Sequence, residues 1–275
     1  MKSLLQKAKD GKYAIANADV YDAPTVLASL KAAERCKSPL IVSWGERHDN
    51  FDEFVMSCFP LLEVSPIPVA FILDHGREYA MFLRCVKAGF NSLMADYSHL
   101  PLEENIACTK EVMRIARAVG ASVEAELGHV GYGPGFSDEL GVDPTLTDPE
   151  EARRFVRETG VDCLAVAVGN IHGPYRGEPR LDIDQIDRIR KAIDLPLVLH
   201  GGSGTGDNML KEAVTHGVCK VNLFSDLCKN GMLCLNEYMN EASPAYLWEA
   251  NAAALRGFSE QVEHYILLFG SDGKA

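Results

Sequence analysis

The chain has 275 residues, 47% hydrophobic and 24% charged, which is enough length and apolar content for a large core. Its formal net charge of -12 argues against nucleic acid or an anionic membrane as main partner. An anionic substrate stays admissible wherever a site supplies local positive charge.

Lys2, Lys7, Lys9, Asp10 and Lys12 interrupt the start too often for a signal peptide, and runs such as "PVAFIL" are far shorter than the ~20 residues of a spanning helix. None of the eight cysteines forms a C-x-x-C pair, so reduced core thiols and a cytoplasmic location are expected.

In chain order, short apolar runs alternate with helix-period segments. Strands are predicted at 13–17, 40–44, 69–73 and 92–96, then at 122–126, 163–168, 197–200 and 220–224. These eight are rich in Val, Ile, Leu and Ala and read as strands buried on both faces. Between them, "LEENIACTKEVMRIARAVG" places Ile106, Val112, Ile115 and Ala116 on one stripe and stops at Gly120. "TDPEEARRFVRETG" begins at Thr147 or Asp148 as N-cap, carries Pro149 in its first turn and stops at Gly160.

Eight strand–helix units predict a single α/β domain over 1–275, a (β/α)8 TIM barrel, with a doubly wound open sheet as the alternative. Residues 128–147 form a long Gly-rich segment of the kind that makes lids. Residues 226–275 form a helical extension with an apolar stripe through Leu227, Leu233, Leu235 and Tyr238. It either caps the barrel base or builds a subunit interface, and a homodimer or homotetramer is expected.

Active sites of such barrels lie at the C-terminal ends of the strands. Nearly every predicted end delivers a polar residue: Asn17, Ser43 with Glu46, Asp74 with His75, Asp96, Glu126, Asn170 with His172, His200, and Asn222 with Ser225. One histidine at a strand end reads most simply as a capped or core residue. Three together, His75, His172 and His200, fit a catalytic Zn²⁺ site with a fourth position open to substrate. His99, His129, His216 and His264 suit cap, lid or surface positions, and His48 is undecided.

Asp74 suits acid/base work on substrate or the orientation of an imidazole. Asp96 and Glu126 pose the same choice, between supporting a ligand and holding an alternative metal position. "HGGSG" and "KVNLFSD" occupy the loops where barrels bind phosphate, and Arg176 adds a planar cation. A metal beside a phosphate pocket and a carboxylate suggests carbonyl chemistry on a sugar phosphate. No lysine stands in a Schiff-base position, since Lys220 opens the last strand at the wrong end of the barrel.

"FILDHG", "KAGFNSLMADYSHLPLEENIACTKEV", "SVEAELG", "HGPYRGEPRLD", "PLVLHGGSG" and "KVNL" resemble the class II fructose-bisphosphate and tagatose-bisphosphate aldolases, from about residue 12 to the closing "FGSDGKA". The resemblance implies a lyase of carbohydrate metabolism with Zn²⁺, or another divalent ion, on His75, His172 and His200. Asp74 looks like the family's general acid, and Asp96 and Glu126 match acidic positions near the alternative metal site. Dihydroxyacetone phosphate would lie on Gly173, on Gly201, Gly202 and Ser203, and on Asn222, Leu223, Phe224 and Ser225. Arg176 stands where a phosphate-binding lysine is usual, and a monovalent cation (Na⁺ or K⁺) near Gly173 is a further family feature.

Several departures fall on the aldehyde side. The family's lid reads like "GGQED", whose glutamate removes the substrate proton. This chain has "GYGPG", with Pro134 near that place and Asp138 and Glu139 as the candidate replacements. "SWGERHD" introduces Trp44, Glu46 and His48, while Tyr97 and Phe224 replace small residues. "SPA" at 243–245 stands where "DPR" is common. The alternatives are a relative acting on a non-phosphorylated or differently substituted ketose, an epimerase-like metal-dependent reaction, and a non-catalytic sugar-phosphate binder.

Overall fold

The computed structural model describes residues 1–134, 142–175 and 177–275. The eight predicted strands form a closed, all-parallel ring. They are β1 (Ile15–Asp19), β2 (Leu40–Gly45), β3 (Val69–Gly76), β4 (Ser92–Ala95), β5 (Ser122–Leu127), β6 (Cys163–Val166), β7 (Leu197–Leu199) and β8 (Val218–Leu223). Each strand pairs with its neighbours in sequence, and β1 closes the ring on β8 with Ile15 opposite Lys220 and Asn17 opposite Asn222. This is the (β/α)8 barrel expected from the alternation.

Helices α2 (Ala23–Cys36), α3 (Phe51–Glu63), α4 (Tyr79–Ala88), α5 (Leu102–Val119), α6 (Pro149–Thr159), α7 (Ile183–Ala192), α8 (Asp207–Thr215) and α9 (Ser225–Glu241) follow the strands in turn. Asp148, not Thr147, caps α6 by accepting from the amides of Glu150 and Glu151 at 2.9 Å. Thr147 instead takes the Ala167 amide at 2.8 Å, tying the end of the lid segment to the barrel.

The core has two compartments, because successive strand residues face opposite ways. Outward residues such as Val42, Phe71, Leu93 and Leu164 pack under the helices. Inward residues Ile15, Ile41, Ile72, Met94, Cys163 and Val198 fill the lower barrel. That lower layer is closed by Leu5 and Ala8 of the N-terminal helix, residues Lys2–Gly11, so the base is not capped by the C-terminal extension. The extension divides instead. The last helix, α10 (Leu247–Phe269), packs on α2, α9 and β1 and completes the outer ring. Helix α9 lies against it with Met232, Leu233 and Met239 exposed.

Higher in the barrel the interior turns polar. Asn17 donates to Ser43 at 3.0 Å, and Lys220 and Glu124, both fully buried, are 2.8 Å apart. Lys220 is the third residue of β8 and sits beneath the C-terminal mouth, not at the opposite end of the barrel. The eight cysteines are free thiols, and no helix among the described residues is long and apolar enough to cross a membrane.

Candidate active site

Strand alternation alone would send Asp74 and His75 to opposite faces. The pairing of β3 with β4 slips between Leu73 and Gly76, and His75 adopts φ +50, a left-handed conformation that costs a non-glycine residue. The irregularity delivers both side chains to the same mouth. His172 arrives from a two-residue parallel pairing of Gly131–Tyr132 with Ile171–His172, and His200 follows β7 directly. Each of the three histidines brings a ring nitrogen within 4.8 Å of the others.

The outer nitrogens are already committed. His75 Nδ1 lies 2.8 Å from Asp96 Oδ2, and His200 Nε2 lies 2.9 Å from Glu124 Oε1. With each ring turned to its carboxylate, His75 Nε2 and His200 Nδ1 face one another 3.1 Å apart, and Asn222 Nδ2 lies 3.3 Å from the same His200 nitrogen. The contact closes on a shared proton or on a metal cation in its place, and the three-imidazole donor set suits Zn²⁺ or a neighbouring transition ion. The residues therefore fit a divalent metal.

Burial, reinforced by His75 and His200, holds the His172 pKa well below its ordinary value, and burial also lowers that of His200. At His75 burial opposes the charge, but Asp74 and Asp96 outweigh it and raise the pKa to about 9. Glu126 forms a second cation-capable group with His75 and Asp96. Its Oε1 accepts the Val130 amide at 3.1 Å, its Oε2 has no partner, and burial with Asp96 pushes its pKa up to about 8. His129, predicted for the lid, joins the same network through Ser98, 2.9 Å away, whose hydroxyl donates to Asp96 at 2.7 Å.

Asp74 makes no hydrogen bond to an imidazole, lying 3.9 Å from His75 Nε2, whereas Asp96 and Glu124 bond the outer ring nitrogens of His75 and His200. Its Oδ1 accepts from Asn222 Nδ2 at 3.0 Å, and it faces a cavity of about 680 Å³ shared with His75 and His172. Burial works against its ionisation, but His75, His200, Lys220 and Arg47 hold its pKa below the usual carboxylate range.

The predicted cradle lies on the same cavity: Gly173, Gly201, Ser203, Asn222, Leu223, Phe224 and Ser225 all line it. At Gly201, φ is +64 and a Cβ would run into the carbonyl of Ile171, so only glycine fits. Ser203 Oγ accepts the amides of Phe224 and Asp226 at 3.1 and 3.2 Å and binds the turn to the start of α9. The N-terminus of α9 thus opens on the cavity, where the positive end of the helix dipole favours an anion. Gly202 stands behind, its amide spent on the Asn222 carbonyl at 3.0 Å. Asp138, Glu139 and Arg176 lie outside the described residues.

The far wall holds residues that sequence reading passed over, namely Asp19, Arg47, Arg77 and Tyr132, beside the expected Glu46. Arg47 pairs with Asp19 and lies 4.7 Å over the Phe224 ring. Arg77 pairs with Asp96 at 3.2 Å, and Tyr132 packs on His172 at 4.9 Å between ring centres. Trp44 turns away into the core beside Phe51, with its ring N–H on Asn50. His48 packs behind the wall against Tyr21 and Phe224, and the Tyr97 hydroxyl donates to the Arg77 carbonyl at 3.0 Å.

Comparison with known proteins agrees with this geometry. Residues 1–274 match the sequence family described as fructose-bisphosphate aldolase class-II. The fructose-bisphosphate aldolase of Geobacillus stearothermophilus is 41% identical over 230 residues, 81% of this chain and 79% of that protein. The 6-phospho-5-dehydro-2-deoxy-D-gluconate aldolase of Bacillus licheniformis is 36% identical, covering 100% of this chain and 96% of that one. The crystal structure of the YdjI aldolase from Escherichia coli K12 superposes with a TM-score of 0.88 at 34% identity, over 100% of this chain and 98% of the other. The chain belongs to the class-II fructose-bisphosphate aldolase family, and it is an aldolase, a carbon–carbon lyase.

Proposed function

We propose that the chain catalyses the reversible, metal-dependent aldol cleavage of a ketose phosphate into dihydroxyacetone phosphate and an aldehyde. The supporting observation is that one cavity holds the His75–His172–His200 cluster, the Asp74 carboxylate and the glycine cradle at the head of α9. A three-carbon phosphate spans the short distance from cradle to metal ligands. A divalent ion on the three imidazoles would supply Lewis-acid polarisation of the substrate oxygens.

The protein's own groups account for the remaining steps. Asn222 holds Asp74 at 3.0 Å, and the surrounding positive charge keeps its carboxylate ionised. In cleavage Asp74 takes the proton from the hydroxyl two carbons beyond the ketone carbon, as that C–O becomes a carbonyl and the carbon–carbon bond breaks. In condensation it returns that proton. The carbon left on the phosphate fragment takes its proton from a second acid, for which Asp138 and Glu139 are the candidates in sequence. The α9 amides and Gly201 fix the phosphate, so that the reacting atoms meet Asp74 in one orientation.

Chelation is expected to abolish cleavage, and zinc to restore it. Full activity in metal-free protein, or inactivation by borohydride in the presence of substrate, would refute the proposal. A cytoplasmic homo-oligomer is the setting in which we place it.

A further inference from the structure

Beyond Asp74 the cavity is walled by the ends of β1 and β2, and two carboxylates dominate there. Asp19 is 3% exposed; one of its oxygens pairs with Arg47, and the other, Oδ1, is buried with no hydrogen-bond partner. Glu46, one residue past β2, likewise keeps a buried Oε1 without a partner. Both residues line the cavity. Buried acceptors of this kind are costly unless something donates to them.

The nearby cations are only partly engaged. Arg47 reaches Asp19 through one nitrogen and lays its face on Phe224, and Arg77 reaches Asp96 through Nη2 while its Nε is buried without a partner. The wall therefore offers two unsatisfied carboxylate oxygens and, beside them, one unsatisfied guanidinium N–H. A phosphate dianion could accept from Arg77 but would leave both carboxylate oxygens without a donor and set like charges together, whereas a hydroxyl both donates to a carboxylate and accepts from a guanidinium.

We propose that this wall is a hydroxyl-binding subsite, and that the aldehyde partner is a neutral polyhydroxy aldehyde, unphosphorylated at its far end, whose hydroxyls donate to Asp19 and Glu46. Arg47 acts as the countercharge that lets Asp19 stay ionised while buried, and its position over Phe224 fixes that end of the cavity. The subsite rests on the assignment of dihydroxyacetone phosphate to the cradle.

The test uses the zinc-loaded full chain in the condensation direction, with dihydroxyacetone phosphate and three matched acceptors: glyceraldehyde, glyceraldehyde 3-phosphate and propanal. Glyceraldehyde is expected to exceed each of the other two in kcat/KM by about tenfold or more. Glyceraldehyde 3-phosphate performing as well as glyceraldehyde, or better, overturns the subsite. Exchange of the dihydroxyacetone phosphate C3 proton without any acceptor is measured in parallel. If exchange occurs and the phosphorylated acceptor wins, the subsite alone fails. If no exchange occurs, the cradle assignment fails and the subsite with it.

Asp19→Asn frees Arg47 and Glu46→Gln removes the second charge. Each is expected to lower the ratio of glyceraldehyde to glyceraldehyde 3-phosphate efficiency by about tenfold. Because the ratio is taken within one protein, partial unfolding does not move it, and an unchanged ratio in both variants refutes their assignment.

Discussion

Glu124 tests how the metal cluster is supported. Its carboxylate is fully buried and carries two duties. Oε1 lies 2.9 Å from His200 Nε2, and both oxygens meet Lys220 Nζ, at 3.0 and 2.8 Å. Burial works against its charge, but Lys220 and His200 outweigh burial and keep it ionised. Glu124→Gln preserves the shape but removes the countercharge, leaving Lys220 only neutral acceptors such as Asn222 Oδ1, at 2.8 Å. Breaking one side of a fully buried pair costs about 3–5 kcal/mol. Weakening the acceptor that orients His200 should also loosen zinc binding about 10- to 100-fold.

The two effects separate when Lys220→Met is added. Removing the orphaned ammonium should restore most of the lost stability, while the His200 defect and weak zinc binding persist. Urea unfolding of the metal-free proteins reads the first effect, and zinc affinity by chelator competition reads the second. Wild-type zinc affinity in Glu124→Gln would refute the orienting role. A double variant no more stable than the single would refute the charge argument.

Asp74→Asn should lower kcat about 10²- to 10⁴-fold with bound zinc unchanged, because Asp74 bonds to Asn222 and not to the ligands' outer nitrogens. Loss of zinc in step with activity would return Asp74 to a supporting role. His48 makes stability depend on pH: burial first, and Arg47 second, lower its pKa from 6.5 to about 4. The neutral ring is favoured in the folded state, so its contribution is complete above about pH 6.5 and is lost as pH falls through about 4. Allowing for its partial exposure, the loss is about 1–2 kcal/mol. Urea unfolding of wild type and His48→Gln should diverge at neutral pH and converge near pH 4; parallel profiles would refute the assignment.

The barrel was legible because its strands are buried on both faces and so read as unbroken apolar runs. The metal ligands were legible because a polar residue leaving such a run has few reasons to be there. Their support was legible at Asp96 but not at Glu124. Glu124 shares a face with Glu126, and Lys220 shares one with Asn222, so the two-residue period could have placed both inside the barrel. Lys220 reads as the far end because the predicted strand opens on it, whereas the strand begins two residues earlier, at Val218. His75 depends on a left-handed turn that no propensity announces. Arg47, exposed and charged in a turn, looks in sequence like any solvated residue, and only the pairing of β1 with β2 and its closure on β8 bring it to Asp19 and Phe224.

That contrast follows from how the two halves of the cavity are built. The metal and cradle half is fixed by strand register: Glu124 under His200, Asn222 beside Asp74, Gly201 against the Ile171 carbonyl. A change there disturbs backbone packing or a buried charge and costs several kcal/mol. The far half hangs on a three-residue turn, Glu46–His48, held to the barrel by Arg47 on Asp19 and by aromatic packing at Phe224. Substitutions in such a turn alter what the wall donates or accepts without moving a strand. Recognition of the aldehyde can therefore change while the chemistry at Asp74 and the three histidines stays in place, and a family likeness along the whole chain fixes the reaction more firmly than the substrate.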